Sequence, residues 1–263
     1  MQEKERTQKT SKRRHTTIPT YSVRPIPICY GMRDLGGSTF TWRLLASKTL
    51  GIECKMVTYI WYLEGSNPKT IVDAGVNPAP PAFEEIQTPE AGLAKLGLKP
   101  DDIEIVIVTH LHLDHIEKAK LFKNAKFVIQ KKEFNYALHP RSIGPFGYVK
   151  NKKLIESLNV ELVDGEKEII PGVTVFLTPG HSLGGQSIEI NTKAGKAIIT
   201  GFCSRFETFD PPPEAKGEGW EVSLPLHHWD VWQMYQSVLK VKRRADIIIP
   251  NHDPTFLDKE RIP

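Results

Sequence analysis

The sequence predicts an α+β fold in which two β-sheets pack face to face with helices outside. Two observations carry this prediction. Strand formers gather in two clusters, one on each side of a histidine-rich segment at residues 110–115, and helical patterns interleave with both. The chain of 263 residues, 40% hydrophobic and 25% charged, can bury a full core, and only its first residues are too polar to join one. Residues 1–18 are therefore expected to form a disordered basic tail and residues 19–263 a single domain.

Each element has its own local reason. Residues 21–29 (YSVRPIPIC) alternate weakly and contain prolines, which lack the N–H a central strand needs, so an edge strand is expected. Residues 56–63 (MVTYIWYL) are β-branched and aromatic, as a strand requires. A turn at Gly65–Pro68 leads to a short buried strand, Thr70-Ile71-Val72, that ends at Asp73-Ala74-Gly75. Thr88-Pro89-Glu90 starts a helix: a capping hydroxyl, a proline whose missing N–H costs nothing there, and an acid at the positive helix end. Ile103–Val108 is a run of strand formers. A helix is expected after the histidine motif, then a strand at 126–130 and a helix from Lys131 to about Leu138. Short strands follow between Gly, Asp and Pro turns: VELV, KEII, VTVFLT, QSIEI and KAIIT. Apolar residues recur at helical spacing from His228 to about Val241, and Ile247–Ile249 is a last strand.

Composition narrows the function. Residues 1–15 carry six lysines and arginines against two glutamates, which accounts for the whole net charge of +4. The remainder is neutral and gives no basis for nucleic-acid binding. No run of 18 apolar residues predicts a membrane span. Cys29, Cys54 and Cys203 form no CxxC pair and the N-terminus has no apolar signal segment, so a reduced, cytoplasmic protein is expected.

His110-Leu111-His112-Leu113-Asp114-His115 places three imidazoles and a carboxylate within six positions at a strand end. Such donors bind zinc, and two histidines at i and i+2 can turn toward one ion while Asp114 and His115 reach a second. His181, in Thr178-Pro179-Gly180-His181, and His252, after IIIP, repeat that placement beside Gly or Pro turns and are expected to join them. His15, His139, His227 and His228 lack that context.

Together these residues resemble the metallo-β-lactamase superfamily of binuclear hydrolases, and most closely its N-acyl homoserine lactonase-like branch. The likeness runs from about residue 21 to 260. It includes Val72-Asp73-Ala74-Gly75, the approach Lys99–Ile103, and the stretches 57–63, 121–138 and 177–187. The resemblance implies an αββα four-layer sandwich with metals at one edge of the sheets. It implies His110, His112 and His181 as ligands of a first zinc. Asp114, which also serves catalysis, His115 and His252 would hold a second, and Asp73 would orient a ligand histidine from behind. Water activated at the metals would attack a carbonyl of a small molecule, a lactone or related cyclic ester or amide. A glyoxalase-type thioester hydrolase and a degenerate metal-binding protein are the rival readings, and a homodimer is a candidate assembly. Iron, manganese and cobalt suit the same donors.

Two departures from the family bear on the site. Its bridging aspartate falls on Phe202 here, with Cys203 one residue later as an alternative thiolate ligand, so one ion is the counter-expectation to two. The substrate-contacting tyrosine that follows is replaced by Arg205 and Phe206. Phe202, Arg205, Phe206 and Trp220 are the candidate pocket residues.

Overall fold

The computed structural model describes residues 18–30, 56–77, 84–139, 152–225 and 227–263. The expected tail, apart from Ile18, and Cys54 lie outside them. Among the described residues, seven strands form one sheet in the order β4 (Glu84–Glu85), β1 (Ser22–Tyr30), β2 (Val57–Glu64), β3 (Thr70–Val72), β5 (Ile105–Ile107), β6 (Lys126–Gln130) and β7 (Val160–Val163). Five form a second: β12 (Ile247–Ile249), β11 (Gly195–Ile199), β10 (Gln186–Thr192), β9 (Val173–Leu177) and β8 (Lys167–Ile170). The helices are α1 (Pro89–Ala94), α2 (Leu113–Ile116), α3 (Lys131–Leu138), α4 (Lys152–Glu156), α5 (Phe206–Phe209), α6 (Pro213–Gly217) and α7 (Val231–Arg244).

Alternation along the strands sets the layers, because successive side chains leave opposite faces of a sheet. Tyr59, Trp61, Val72 and Ile107 point inward and meet Val175, Ile188 and Ile199 of the second sheet in one buried cluster. Ile60, Ile71 and Val106 point the other way and pack under Leu93 of α1, Ala137 of α3 and Leu154 of α4. On the second sheet Ile198 faces outward against Met234 and Val238 of α7. The layers are therefore helix, sheet, sheet, helix: the αββα sandwich that the resemblance implied.

Strand direction places the functional residues. β3, β5, β6 and β7 are mutually parallel. In the second sheet β10 opposes both β9 and β11, and β12 runs parallel to β11, so β9, β11 and β12 share one direction. The chain leaves β3 at Asp73, β5 toward His110, β9 toward His181, β11 toward Phe202 and β12 toward His252. Gln130, the last residue of β6, donates from Nε2 to Gln186 Oε1 at 2.9 Å, and Gln186 Nε2 donates back to the Val108 and Val128 carbonyls, tying the two sheets at that edge.

Some boundaries differ from expectation for identifiable reasons. The strand expected at 103–108 is shortened to β5 because Ile103 closes the 3₁₀ turn Pro100–Asp102 through its N–H. The helix expected after the histidine motif begins inside it as α2, with His112 at the cap position. The helix expected from His228 starts at Val231, where Asp230 accepts a hydrogen bond from Gln233 N. β1, expected as an edge strand, lies between β4 and β2; it pairs with β2 along its length and with β4 only at Cys29 and Tyr30, clear of Pro25 and Pro27. No helix among the described residues is long and apolar enough to cross a membrane.

Candidate metal centre

Two ligand triads form at the shared edge. One consists of His110, His112 and His181, the other of Asp114, His115 and His252, and within each the ligand atoms lie no more than 4.8 Å apart. The rings of His110 and His115, one from each triad, have centroids 4.1 Å apart. All five histidines are buried, which leaves their polar atoms dependent on protein partners or a bound cation.

Those partners engage the far side of the rings. His181 Nδ1 donates to the His227 carbonyl at 2.7 Å, and His252 Nδ1 donates to the Val57 carbonyl at 3.0 Å. His115 Nδ1 is 2.7 Å from Asp73 Oδ2. Thr109 Oγ1 donates to Asp73 Oδ2 at 3.0 Å, which leaves its oxygen to accept from His110 Nδ1 at 3.1 Å. With Nδ1 carrying the proton, the neutral rings of His110, His181 and His252 each present a bare Nε2 lone pair toward the centre. His110 Nε2 and His181 Nε2 face each other at 3.1 Å. Two lone pairs at that distance repel unless a cation or a proton lies between them. The donor set is one that divalent transition metals take, so the residues present fit the implied group.

The electrostatics agree with that role. Burial holds His110 and His181 well below the ordinary histidine value, and lowers His112 to about 3 and His252 to about 4. Burial would lower His115 as well, but the Asp114 and Asp73 carboxylates override it and raise the ring to about 10. Burial would raise Asp114; the charge of His115 and its hydrogen bond at 3.3 Å keep the carboxyl well below the usual range and ionised.

The remaining expected residues divide. Asp73 stands behind His115 as anticipated, fully buried. Cys203 is half-buried and belongs to neither triad. Phe202 is fully buried in the cluster that includes Phe176, Phe209 and Met234, so it packs as core beneath α7, where an aromatic ring belongs. Arg205 pairs with Glu207 at 3.0 Å. Phe206 is exposed, with its N–H donating to Asp253 Oδ2 at 2.8 Å, and the Phe206 segment thus runs beside His252. Trp220 is exposed beyond α6.

Sequence reasoning missed four supporting groups. Thr109 and Asn251 adjoin ligand positions, and their polarity at the end of apolar strands was the available signal; Asn251 Nδ2 reaches Asp73 Oδ2 at 3.4 Å and its Oδ1 accepts from Trp61 Nε1 at 3.1 Å. His227, set aside for lack of context, carries the carbonyl that orients His181, and its ring lies near enough to lower both His112 and His181. Glu133 had no signal, since an acid in a first helical turn is ordinary.

A sandwich of this topology with two buried ligand triads at one edge defines a protein with a candidate divalent-metal centre. Residues 55–252 match the family model of the metallo-beta-lactamase superfamily, and the chain belongs to that superfamily. It is similar to an N-acyl homoserine lactonase of Bacillus cereus, 36% identical over 161 residues, covering 61% of this chain and 60% of that protein. It is also similar to N-acyl homoserine lactonase AiiA of Bacillus thuringiensis subsp. kurstaki, 29% identical over 165 residues with the same shares covered. The match spans about 60% of the length of these relatives. Among solved structures, a quorum-quenching N-acyl homoserine lactone lactonase superposes with a TM-score of 0.66 at 26% identity, covering 90% of this chain and 95% of that one.

Proposed function

We propose that this protein is a metal-dependent hydrolase that opens a lactone or a related cyclic ester. The observation that carries the reading is the pair of bare Nε2 atoms of His110 and His181, turned toward each other and backed by a second triad. His110, His112 and His181 would hold one divalent ion, and Asp114, His115 and His252 a second, with zinc the first candidate and iron, manganese and cobalt suited to the same donors. A divalent ion bound there supplies Lewis-acid polarisation of a carbonyl and acidifies water.

The chain's own residues do the rest. The carbonyls of His227 and Val57 and the carboxylate of Asp73 fix which nitrogen of each ring faces the centre. Asp114, ionised beside His115, is the acceptor for the proton that hydrolysis must move: water adds to the carbonyl, the ring C–O bond breaks, and the departing alkoxide takes up a proton. Arg205 and Phe206, beside His252, are the candidate contacts for the substrate's variable part, and the similarity to N-acyl homoserine lactonases supports a small-molecule lactone as the class. A homodimer is the assembly proposed with this reading.

The test is elemental analysis of untagged protein followed by a screen of acyl homoserine lactones, simple lactones and glutathione thioesters, each with a chelated control. Two ions per chain and lactone opening that disappears on chelation and returns with zinc are expected. No bound metal after reconstitution, or a loaded protein inert toward every lactone, overturns the proposal; cleavage of thioesters alone moves the chain to the thioesterase reading.

A further inference from the structure

The three ligands of the first triad come from two loops far apart in sequence: His110 and His112 from the segment after β5, and His181 from the segment after β9. Backbone pairing at Gln186 N to Thr109 O, 2.9 Å, joins the loops at their base. Beyond that base they are joined through the side chain of Glu133, in the first turn of α3. Its Oε1 accepts from Leu111 N at 2.9 Å and its Oε2 from Gly184 N at 2.8 Å. Leu111 lies between the two histidines of the first loop, and Gly184 lies three residues past His181. Glu133 is 1% exposed.

The second loop is shaped for this contact. A Cβ on Gly184 would stand 2.3 Å from Glu133 N and 2.9 Å from its Cα, so only glycine lets the loop approach the start of α3 this closely. Both carboxylate oxygens are used by backbone donors from opposite loops, a bidentate arrangement that fixes the separation of the loops as well as their orientation. In a close-packed interior a shift of one loop relative to the other displaces His181 from His110 directly.

We infer that Glu133 is a positioning residue that sets the spacing of the first triad, acting through the backbone of Leu111 and Gly184. The inference rests on the metal-site reading above for its consequence, while the clamp itself stands on the two backbone hydrogen bonds to Glu133.

The experiment compares wild type with Glu133→Gln. The amide keeps the size but offers one acceptor and one donor, so one of the two backbone N–H groups loses its partner. In the metal-free proteins, amide hydrogen exchange is measured for the segments containing Leu111 and Gly184, with β10 as the internal reference. In the cobalt-substituted proteins, the visible absorption spectrum and the affinity of each ion are measured. Exchange at Leu111 or Gly184 should rise at least about tenfold with β10 unchanged, first-ion affinity should fall about 10–100-fold, and the cobalt bands should shift. Unchanged exchange at both segments overturns the clamp. Raised exchange with unaltered cobalt bands and affinity overturns the positioning role and leaves Glu133 a purely structural residue. If wild type binds no cobalt, the metal-site reading fails, and with it the positioning role, while the exchange data still judge the clamp. Should Glu133→Gln not fold, Gly184→Ala opens the same contact from the other side and is read by the same measurements, with the same outcomes supporting or overturning the role.

Discussion

Asp73 concentrates several demands on one side chain. It is fully buried at φ 62°, in the left-handed region where a side chain is strained and where Asp and Asn are the tolerated exceptions. Its Oδ1 accepts from Thr109 N at 2.8 Å, and its Oδ2 from the Thr109 hydroxyl at 3.0 Å and from the His115 ring at 2.7 Å. The carboxylate thus orients His115 in one triad and, through Thr109, His110 in the other. Asp73→Asn keeps the volume and the tolerance of the backbone but replaces one acceptor oxygen by a donor and removes the charge behind His115. Affinity for an ion at Asp114, His115 and His252 is expected to fall about 10–100-fold, and elemental analysis after gel filtration should return about one ion per chain where two are expected of the unaltered protein. An unchanged metal count would show that the orientation of His115 is set elsewhere. This aspartate was legible in the sequence through the resemblance that Val72-Asp73-Ala74-Gly75 carries, which implied a place behind a ligand histidine.

At the scale of elements, α7 and the His181 loop hold each other in place. Gly180 has φ +124°, and a Cβ on it would stand 2.4 Å from Met234 N and 2.5 Å from Met234 Cα. Its carbonyl accepts from Trp229 N and Asp230 N, and Ser237 Oγ donates to the Pro179 carbonyl at 2.6 Å. Gly180→Ala must push α7 away from the loop or twist the loop out of the left-handed region. A loss of about 2–3 kcal/mol is expected from strain and displaced packing, measured by urea unfolding of the metal-free protein, together with weaker metal binding at the first triad. Stability within about 0.5 kcal/mol of the unaltered protein would mean that α7 does not constrain His181. The strands were the most legible elements, since β6, β12 and the stretches after Val160 are short apolar runs cut off by turn residues. Helix ends were less so: α7 starts where Asp230 can cap it, and Trp229 upstream instead contacts the Gly180 loop and Tyr136.

The whole molecule brings together residues that the sequence leaves 142 positions apart, from His110 to His252. The ligand types were legible because imidazoles at strand ends stand out; the convergence follows from shared strand directions, which local patterns do not encode. The ties through Glu133 and the His227 carbonyl were illegible for the same reason, since their partners are fixed only by the packing of distant segments on one another. That buried convergence has a consequence for the metal-free protein in acid. His110, His112, His181 and His252 are held neutral by burial, with His252 near 4 and His112 near 3, against 6.5 for the ordinary side chain. Between those values the unfolded chain takes up protons that the folded chain refuses, so stability falls as the pH drops below 6.5. At pH 5 the unfolded chain is about 1.5 pH units into that window, worth about 2 kcal/mol for each histidine that stays neutral. His115 acts in the opposite sense: its carboxylate partners outweigh burial and raise it to about 10, so its contribution is complete below 6.5 and is lost only as the pH climbs toward 10. The urea midpoint of the metal-free protein is therefore expected to fall steeply from pH 7 to pH 5. Bound metal raises the midpoint at pH 7 and loses that effect over the same range, because protons compete for the same Nε2 atoms. A midpoint independent of pH over that range would mean that the histidines are not buried as neutral rings, and the case for two preformed triads would go with it.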